Sequence, residues 1–103
     1  MNAQTERATV AGPAGPLECA LDGRTDSPRG VAVIAHPHPL HGGTMDNKVV
    51  QTLARAFLQQ GWRTVRFNFR GIGASAGAWD EGRGEIDDML AVIAQQRRAG
   101  EPL

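Results

Sequence analysis

Apolar and polar positions divide the chain into four strand-like stretches and two helix-like ones. Thr9-Val10-Ala11 and Leu17–Leu21 are short strand candidates, and Gly12-Pro13-Ala14-Gly15-Pro16 between them has turn composition. Together they predict an antiparallel hairpin, with residues 1–8 expected to fray. After a glycine- and proline-containing loop from Asp22 to Gly30, Val31–Ala35 is a continuous apolar run. Such a run suits a strand buried on both faces, as in parallel sheets. It stops at His36-Pro37-His38-Pro39, because prolines at alternate positions continue neither a sheet ladder nor a long helix.

A helix is predicted to start near Thr44–Asn47, where several side chains are suited to capping. Val50, Leu53, Ala54, Phe57 and Leu58 recur on one helical face, and Gly61 follows at the position of a C′ glycine. Thr64–Phe69 then alternates, Val65, Phe67 and Phe69 against Thr64, Arg66 and Asn68, which predicts a strand. Residues 71–84 are a glycine-rich loop. A second helix is expected over Glu85–Ala99, with Ile86, Met89, Leu90 and Ile93 on its apolar face and Gly100 ending it. A strand–helix–strand unit of this kind requires a parallel pair with a right-handed crossover, so the fold class is α/β: a hairpin followed by a parallel β-α-β-α unit.

Composition narrows the functions. The 103 residues suit one domain, and eleven basic residues balance eleven acidic ones, so neither nucleic acid nor a strongly charged partner is indicated. Arg97 and Arg98 are expected in the last turn of the second helix, offsetting its macrodipole. The lone Cys19 cannot form an internal disulfide and reads as a small core residue. The polar N-terminus is not a secretory signal and no apolar run is long enough for a bilayer, so a soluble cytoplasmic protein with no membrane partner is expected.

Two stretches carry more specific information. HPHPLHGGTMDNK, from His36 to Lys48, and FNFRGIGASAGAWDEGRGEIDD, from Phe67 to Asp88, resemble a bacterial branch of the α/β-hydrolase superfamily related to dienelactone hydrolases and prolyl-oligopeptidase-like esterases. The resemblance covers about residues 31 to 100. It implies that Val31–Ala35 is the third strand of that fold, residues 46–60 its first helix, Thr64–Phe69 its fourth strand and Glu85–Ala99 its second helix. It also implies that the fifth strand, the nucleophile elbow, the acid and the catalytic histidine would all come after Leu103. The expectation is one partial domain over residues 1–103, ending before the nucleophile elbow and holding no catalytic residue.

Gly73-Ala74-Ser75-Ala76-Gly77 nevertheless matches G-x-S-x-G letter for letter. That motif works only where a strand runs into a strained turn with a helix directly behind it. Here Arg70-Gly71-Ile72 separates the strand from the serine, and residues 78–84 have no helical periodicity. In this fold the histidine also comes last in the chain, whereas His36, His38 and His41 all precede Ser75. Gly71-Ile72-Gly73-Ala74-Ser75-Ala76 fits a dinucleotide fingerprint equally loosely, but no helix opens there, and no cofactor is expected.

The resemblance gives the loop after the third strand one N–H of the oxyanion hole. His36-Pro37-His38 stands where the family carries His-Gly-x, whose third residue donates, which makes His38 the candidate. Pro37 and Pro39 have no N–H to offer, and this strengthens the assignment. His36, Leu40, His41, Gly42 and Gly43 would line the pocket. On the other reading these residues only shape the connection between strand and helix. Metal binding by His36, His38 and His41 is a weaker alternative, because H-P-H-x-x-H is not a standard zinc spacing. Asp80, Glu81, Glu85, Asp87 and Asp88 are expected to favour the N-terminus of the second helix rather than to do acid–base work.

Two functional classes remain. The first is the N-terminal part of a serine hydrolase whose complete form takes a small ester or acyl substrate, with the chain inactive alone. The second is a non-enzymatic module that forms a homo-oligomer or complements another chain through open strand edges.

Overall fold

The computed structural model describes residues 5–23, 29–36, 44–98 and 100–103. The hairpin is longer than the apolar positions alone indicate. β1 (Glu6–Gly12) and β2 (Gly15–Asp22) pair antiparallel from Glu6↔Leu21 to Gly12↔Gly15. Glu6, Arg7 and Ala8 are therefore strand and not frayed end. The turn shrinks to Pro13-Ala14, and Pro16 is paired with Ala11 within the ladder.

β3 (Val31–Ile34), α1 (Lys48–Gln59) and β4 (Arg63–Phe67) form the expected crossover, with β3 and β4 parallel. α2 (Arg83–Gln96) follows β4. The sheet order is β1-β2-β4-β3, so β4 lies inside and β3 at an edge. That position explains burial. All five residues of β4 are buried, while Ala32 and Val33 of β3 are only half-buried.

The two helices lie on opposite faces of the sheet. Val10, Leu17, Cys19, Val31, Val65 and Phe67 pack with Val92 of α2. On the other face Ile34 packs with Val50 and Ala54 of α1. Cys19 sits wholly inside, and burial, helped by the charge of Glu18, pushes its thiol up to about 11. The Asn47 side chain caps α1 by accepting the Val49 N–H at 2.8 Å, and Gly61 (φ 87°) stands just past its end as expected.

α2 differs from the sequence reading in two ways. Its inward face carries Gly84, Glu85, Asp88 and Val92, with Met89 at the margin, whereas Ile86 and Leu90 are 63 % and 57 % exposed. Hydrogen bonds to Arg70 draw Asp88 to the sheet and turn the more apolar face outward. The helix also stops at Gln96, where Arg97 turns extended, so Gly100 lies in a later turn and does not end it. Arg97 and Arg98 therefore fall outside the last turn. The Arg97 Nε donates to the Glu101 carbonyl and the Arg98 N–H to the Glu101 carboxylate. Among the described residues no helix is long and apolar enough to cross a membrane.

Candidate functional site

The polar residues of the chain converge where β3 and β4 end. In an α/β sheet ligands bind outside the carboxyl ends of the parallel strands, because chain reversals leave a crevice there. His36 comes just after β3 and is 6 % exposed. Its Nε2 accepts the Phe69 N–H at 3.0 Å, and its ring meets that of Phe69 edge-on at 4.9 Å between centroids. An accepting Nε2 carries no proton, so the neutral ring has its proton on Nδ1. Of the residues expected to form the oxyanion hole and pocket, His36 is thus tied to the end of β4. His38, Leu40, His41, Gly42 and Gly43 lie outside the described residues.

Met45, just before α1, is held by Arg66 of β4 and by Asn68 just past its end. Met45 donates its N–H to Asn68 Oδ1 at 2.8 Å and offers its carbonyl to Arg66 Nη1 at 2.9 Å. Arg66 has no exposed surface and also meets Asp46 Oδ1 at 3.1 Å and Asp22 Oδ2 at 3.6 Å. Buried charge of this kind persists only where such partners surround it. Asn68 points its other end at β2, with Nδ2 donating to Glu18 Oε1 at 2.7 Å.

The G-x-S-x-G serine belongs to the same network. Ser75 Oγ donates to the Asn68 carbonyl at 2.6 Å and accepts the Glu18 N–H at 2.8 Å. Its own N–H bonds the Ile72 carbonyl, and the Ala76 N–H bonds that of Pro16. Ala74 N–H donates to Glu18 Oε1 at 2.9 Å. The loop is thereby laced to β2. A Cβ on Gly73 would stand 2.6 Å from both Asn68 Nδ2 and Glu18 Oε1, and its φ is 54°, so only glycine lets the loop lie this close. α2 does not begin until Arg83, and no imidazole is among the partners of Ser75 in the described residues. The hydroxyl bridges two main-chain groups and is not raised on a strand-to-helix turn.

Past the loop, Arg70 and Asp88 close the site. The Asp88 carboxylate, 0 % exposed, receives Arg70 Nε at 3.1 Å, Nη2 at 2.9 Å and the Arg70 N–H at 3.0 Å. The hydrogen bond to Asp88 holds the guanidinium protonated above its already high range. Glu85 completes the turn before α2 by accepting the Gly82 and Asp80 N–H groups at 3.0 and 2.8 Å. Of the acidic cluster, Glu85 therefore caps the helix as expected, while Asp88 is an ion-pair partner. Spacing alone hides this, since Arg70 and Asp88 are eighteen residues apart and lie on different elements. Glu18, Arg66 and Asn68 escape sequence reasoning for the same reason.

A polar recess of about 250 Å³ lies at the other end of β4, lined by Glu6, Asp22, Arg63, Gln96 and Arg97. There Arg63 and Glu101 form a two-pronged pair with contacts of 2.7 and 2.5 Å. The recess is remote from His36 and Ser75 along the strands.

Comparison with solved structures supplies what the geometry leaves open. The chain superimposes on an α/β serine hydrolase homologue from Coxiella burnetii with a TM-score of 0.83 and 47% identity, over 92% of this chain and 45% of that one. The chain has the fold of the N-terminal portion of an α/β hydrolase. An α/β serine hydrolase without lid from Xanthomonas campestris gives a TM-score of 0.82 at 41% identity, over 94% of this chain and 47% of that one. An uncharacterised protein of Rickettsia prowazekii is 39% identical over 82 residues, which are 80% of this chain and 34% of the relative. The chain thus spans less than half the length of each. No protein-family model matches it.

Proposed function

We propose that this chain is the N-terminal part of a serine hydrolase acting on ester or related acyl bonds, and that these residues alone do not turn over substrate. The observation that carries the reading is the position of Ser75. In the one stretch that spells G-x-S-x-G, both the proton and a lone pair of the hydroxyl are committed to main-chain groups. A nucleophilic serine needs a general base on that proton and backbone donors beside the attacked carbonyl. The serine-hydrolase relatives at 41–47% identity are about twice as long, which leaves room for a nucleophile, an acid and a histidine in the part this chain does not match.

In the complete enzyme this portion would supply one wall of the crevice and the N–H of His38 to the oxyanion. His36 and Asn68 would steady the two ends of the loop that carries it, through Phe69 and Met45. A fixed main-chain donor stabilises developing negative charge without reorganising, an effect worth about 3 kcal/mol. Leu40, His41, Gly42 and Gly43 would line the pocket beside it. The lone buried thiol fits a cytoplasmic setting.

The test is hydrolysis of p-nitrophenyl acetate. The purified chain is expected to match the buffer blank, and Ser75→Ala to change nothing. Turnover by the chain that Ser75→Ala abolishes would overturn the proposal. A second reading, a non-enzymatic module that pairs with another chain, draws on the open side of β3.

A further inference from the structure

Glu18 of β2 ties together segments that are remote in sequence. It pairs with Thr9 of β1 in the hairpin. Its main chain is bonded to the end of β4. The Glu18 carbonyl accepts the Asn68 N–H at 2.9 Å, and the Glu18 N–H reaches Ser75 Oγ, which donates on to the Asn68 carbonyl. Its carboxylate carries a second set of bonds. Oε1 accepts both Asn68 Nδ2 at 2.7 Å and the Ala74 N–H at 2.9 Å. Asn68, which is buried, in turn offers Oδ1 to the Met45 N–H at 2.8 Å. A run of contacts thus crosses from β2 over the end of β4 to the residue just before α1.

A carboxamide has an accepting end and a donating end of nearly equal size, so shape alone does not decide which way it faces. An ionised carboxylate only accepts. Beside Glu18 Oε1, Asn68 must therefore turn Nδ2 towards β2 and Oδ1 towards Met45. The opposite orientation would set oxygen against oxygen at Glu18 and N–H against N–H at Met45. Both errors would fall on groups held away from water, where an unpaired polar atom is costly. Gly73 leaves the room this junction needs, since a Cβ there would crowd Asn68 Nδ2 and Glu18 Oε1 together. Met45 is where the segment carrying His38 hands over to α1, so the orientation of one amide bears on the end of that segment.

We infer that Glu18 is a positioning residue for the oxyanion side of the crevice: its carboxylate fixes the orientation of the Asn68 amide, which in turn holds the Met45 N–H at the end of the segment that carries His38. The inference rests on the reading of the chain as part of a serine hydrolase and deepens it by giving a role to a residue that acts through Asn68. What the junction requires is an acceptor without a hydrogen, and not a negative charge as such. Glutamine at position 18 can present its amide oxygen to the same two donors, whereas alanine presents nothing. Asn68→Asp keeps an acceptor for Met45 but sets a second oxygen against Glu18 Oε1.

The experiment follows amide hydrogen exchange in the chain itself by nuclear magnetic resonance, with Val65, inside the ladders of β4, as the internal reference. Glu18→Ala is expected to speed exchange of the Met45 amide relative to Val65 by about tenfold or more. Glu18→Gln is expected to leave that ratio within about twofold of the parent. Asn68→Asp is expected to raise the ratio at neutral pH and to restore it as pH falls through the carboxylate range, where one proton shared between two oxygens replaces the lost amide hydrogen. Met45 and Val65 losing protection to the same degree in Glu18→Ala would mark Glu18 as general support for the fold and overturn the inference. Equal effects of Glu18→Ala and Glu18→Gln would overturn it as well. Should Glu18→Ala fail to fold, Asn68→Asp decides, and a ratio that does not change with pH overturns the inference. Hydrolysis of p-nitrophenyl acetate by the chain alone would sink the hydrolase-portion reading and leave the coupling of Glu18, Asn68 and Met45 standing.

Discussion

Arg70 and Asp88 are joined by three hydrogen bonds, one from the Arg70 main chain and two from its guanidinium, around a carboxylate with no exposed surface. The pair fastens α2 to the end of β4 and fixes which side of the helix faces the sheet. Removing one partner of a buried pair leaves the other charge without compensation. Arg70→Ala is therefore expected to lower the unfolding free energy by about 3–5 kcal/mol, measured by urea denaturation. Gly84→Ala should act through the same contact, since its Cβ would crowd the Arg70 guanidinium. An Arg70→Ala protein as stable as the parent would show that the pair contributes nothing net.

Ser75→Ala is expected to act on stability and not on chemistry. It strips an acceptor from the Glu18 N–H and a donor from the Asn68 carbonyl. Each buried group left unsatisfied costs about 1–3 kcal/mol. The melting temperature should fall, and a variant that melts with the parent would contradict the bridging role of the hydroxyl.

His36 should be replaceable only by another acceptor. His36→Phe keeps a ring beside Phe69 but leaves the Phe69 N–H unpaired, costing about 1–3 kcal/mol. His36→Gln, whose amide oxygen can accept, should lose less. Equal losses in urea denaturation would indicate that ring packing outweighs the hydrogen bond.

Acid should loosen the opposite end of the sheet. The Arg63 hydrogen bond, reinforced by the Arg98 N–H, holds the Glu101 carboxyl below its ordinary 4.5. A carboxyl depressed in the folded state contributes stability above its unfolded value, and that contribution is lost as pH falls through the folded value. Unfolding free energy is expected to drop as pH falls below about 5, and Glu101→Gln should flatten that part of the profile. Parallel profiles for the two proteins would rule Glu101 out as the source.

The strands and helices were legible in the sequence because their apolar content follows periods of two and of three to four or, in β3, runs unbroken. Boundaries drifted where pairing, not hydrophobicity, extends an element, as at Glu6–Ala8, which pair with β2 despite being mostly polar. The orientation of α2 was illegible for a related reason. Ile86, Met89, Leu90 and Ile93 form its most apolar stripe, yet one ion pair from Arg70 overrides the stripe. Periodicity also sets Thr64, Arg66 and Asn68 on one face of a strand, opposite Val65, Phe67 and Phe69. α1 and the segment at Met45 cover that side, so the polar residues became the internal fastening of the site. Ser75, by contrast, was recognisable as a loop residue from the missing helix alone, because a nucleophile elbow requires a helix directly behind its serine.

Cys19 gives the protein a built-in clock. It is the one thiol among the 103 residues, sealed between the sheet and α2 and protonated at any ordinary working pH. A disulfide reagent can consume it only in molecules whose hydrophobic interior has come apart. The rate of labelling therefore times how often the interior opens, with no engineered probe, and any partner that seals the molecule more firmly would slow that rate.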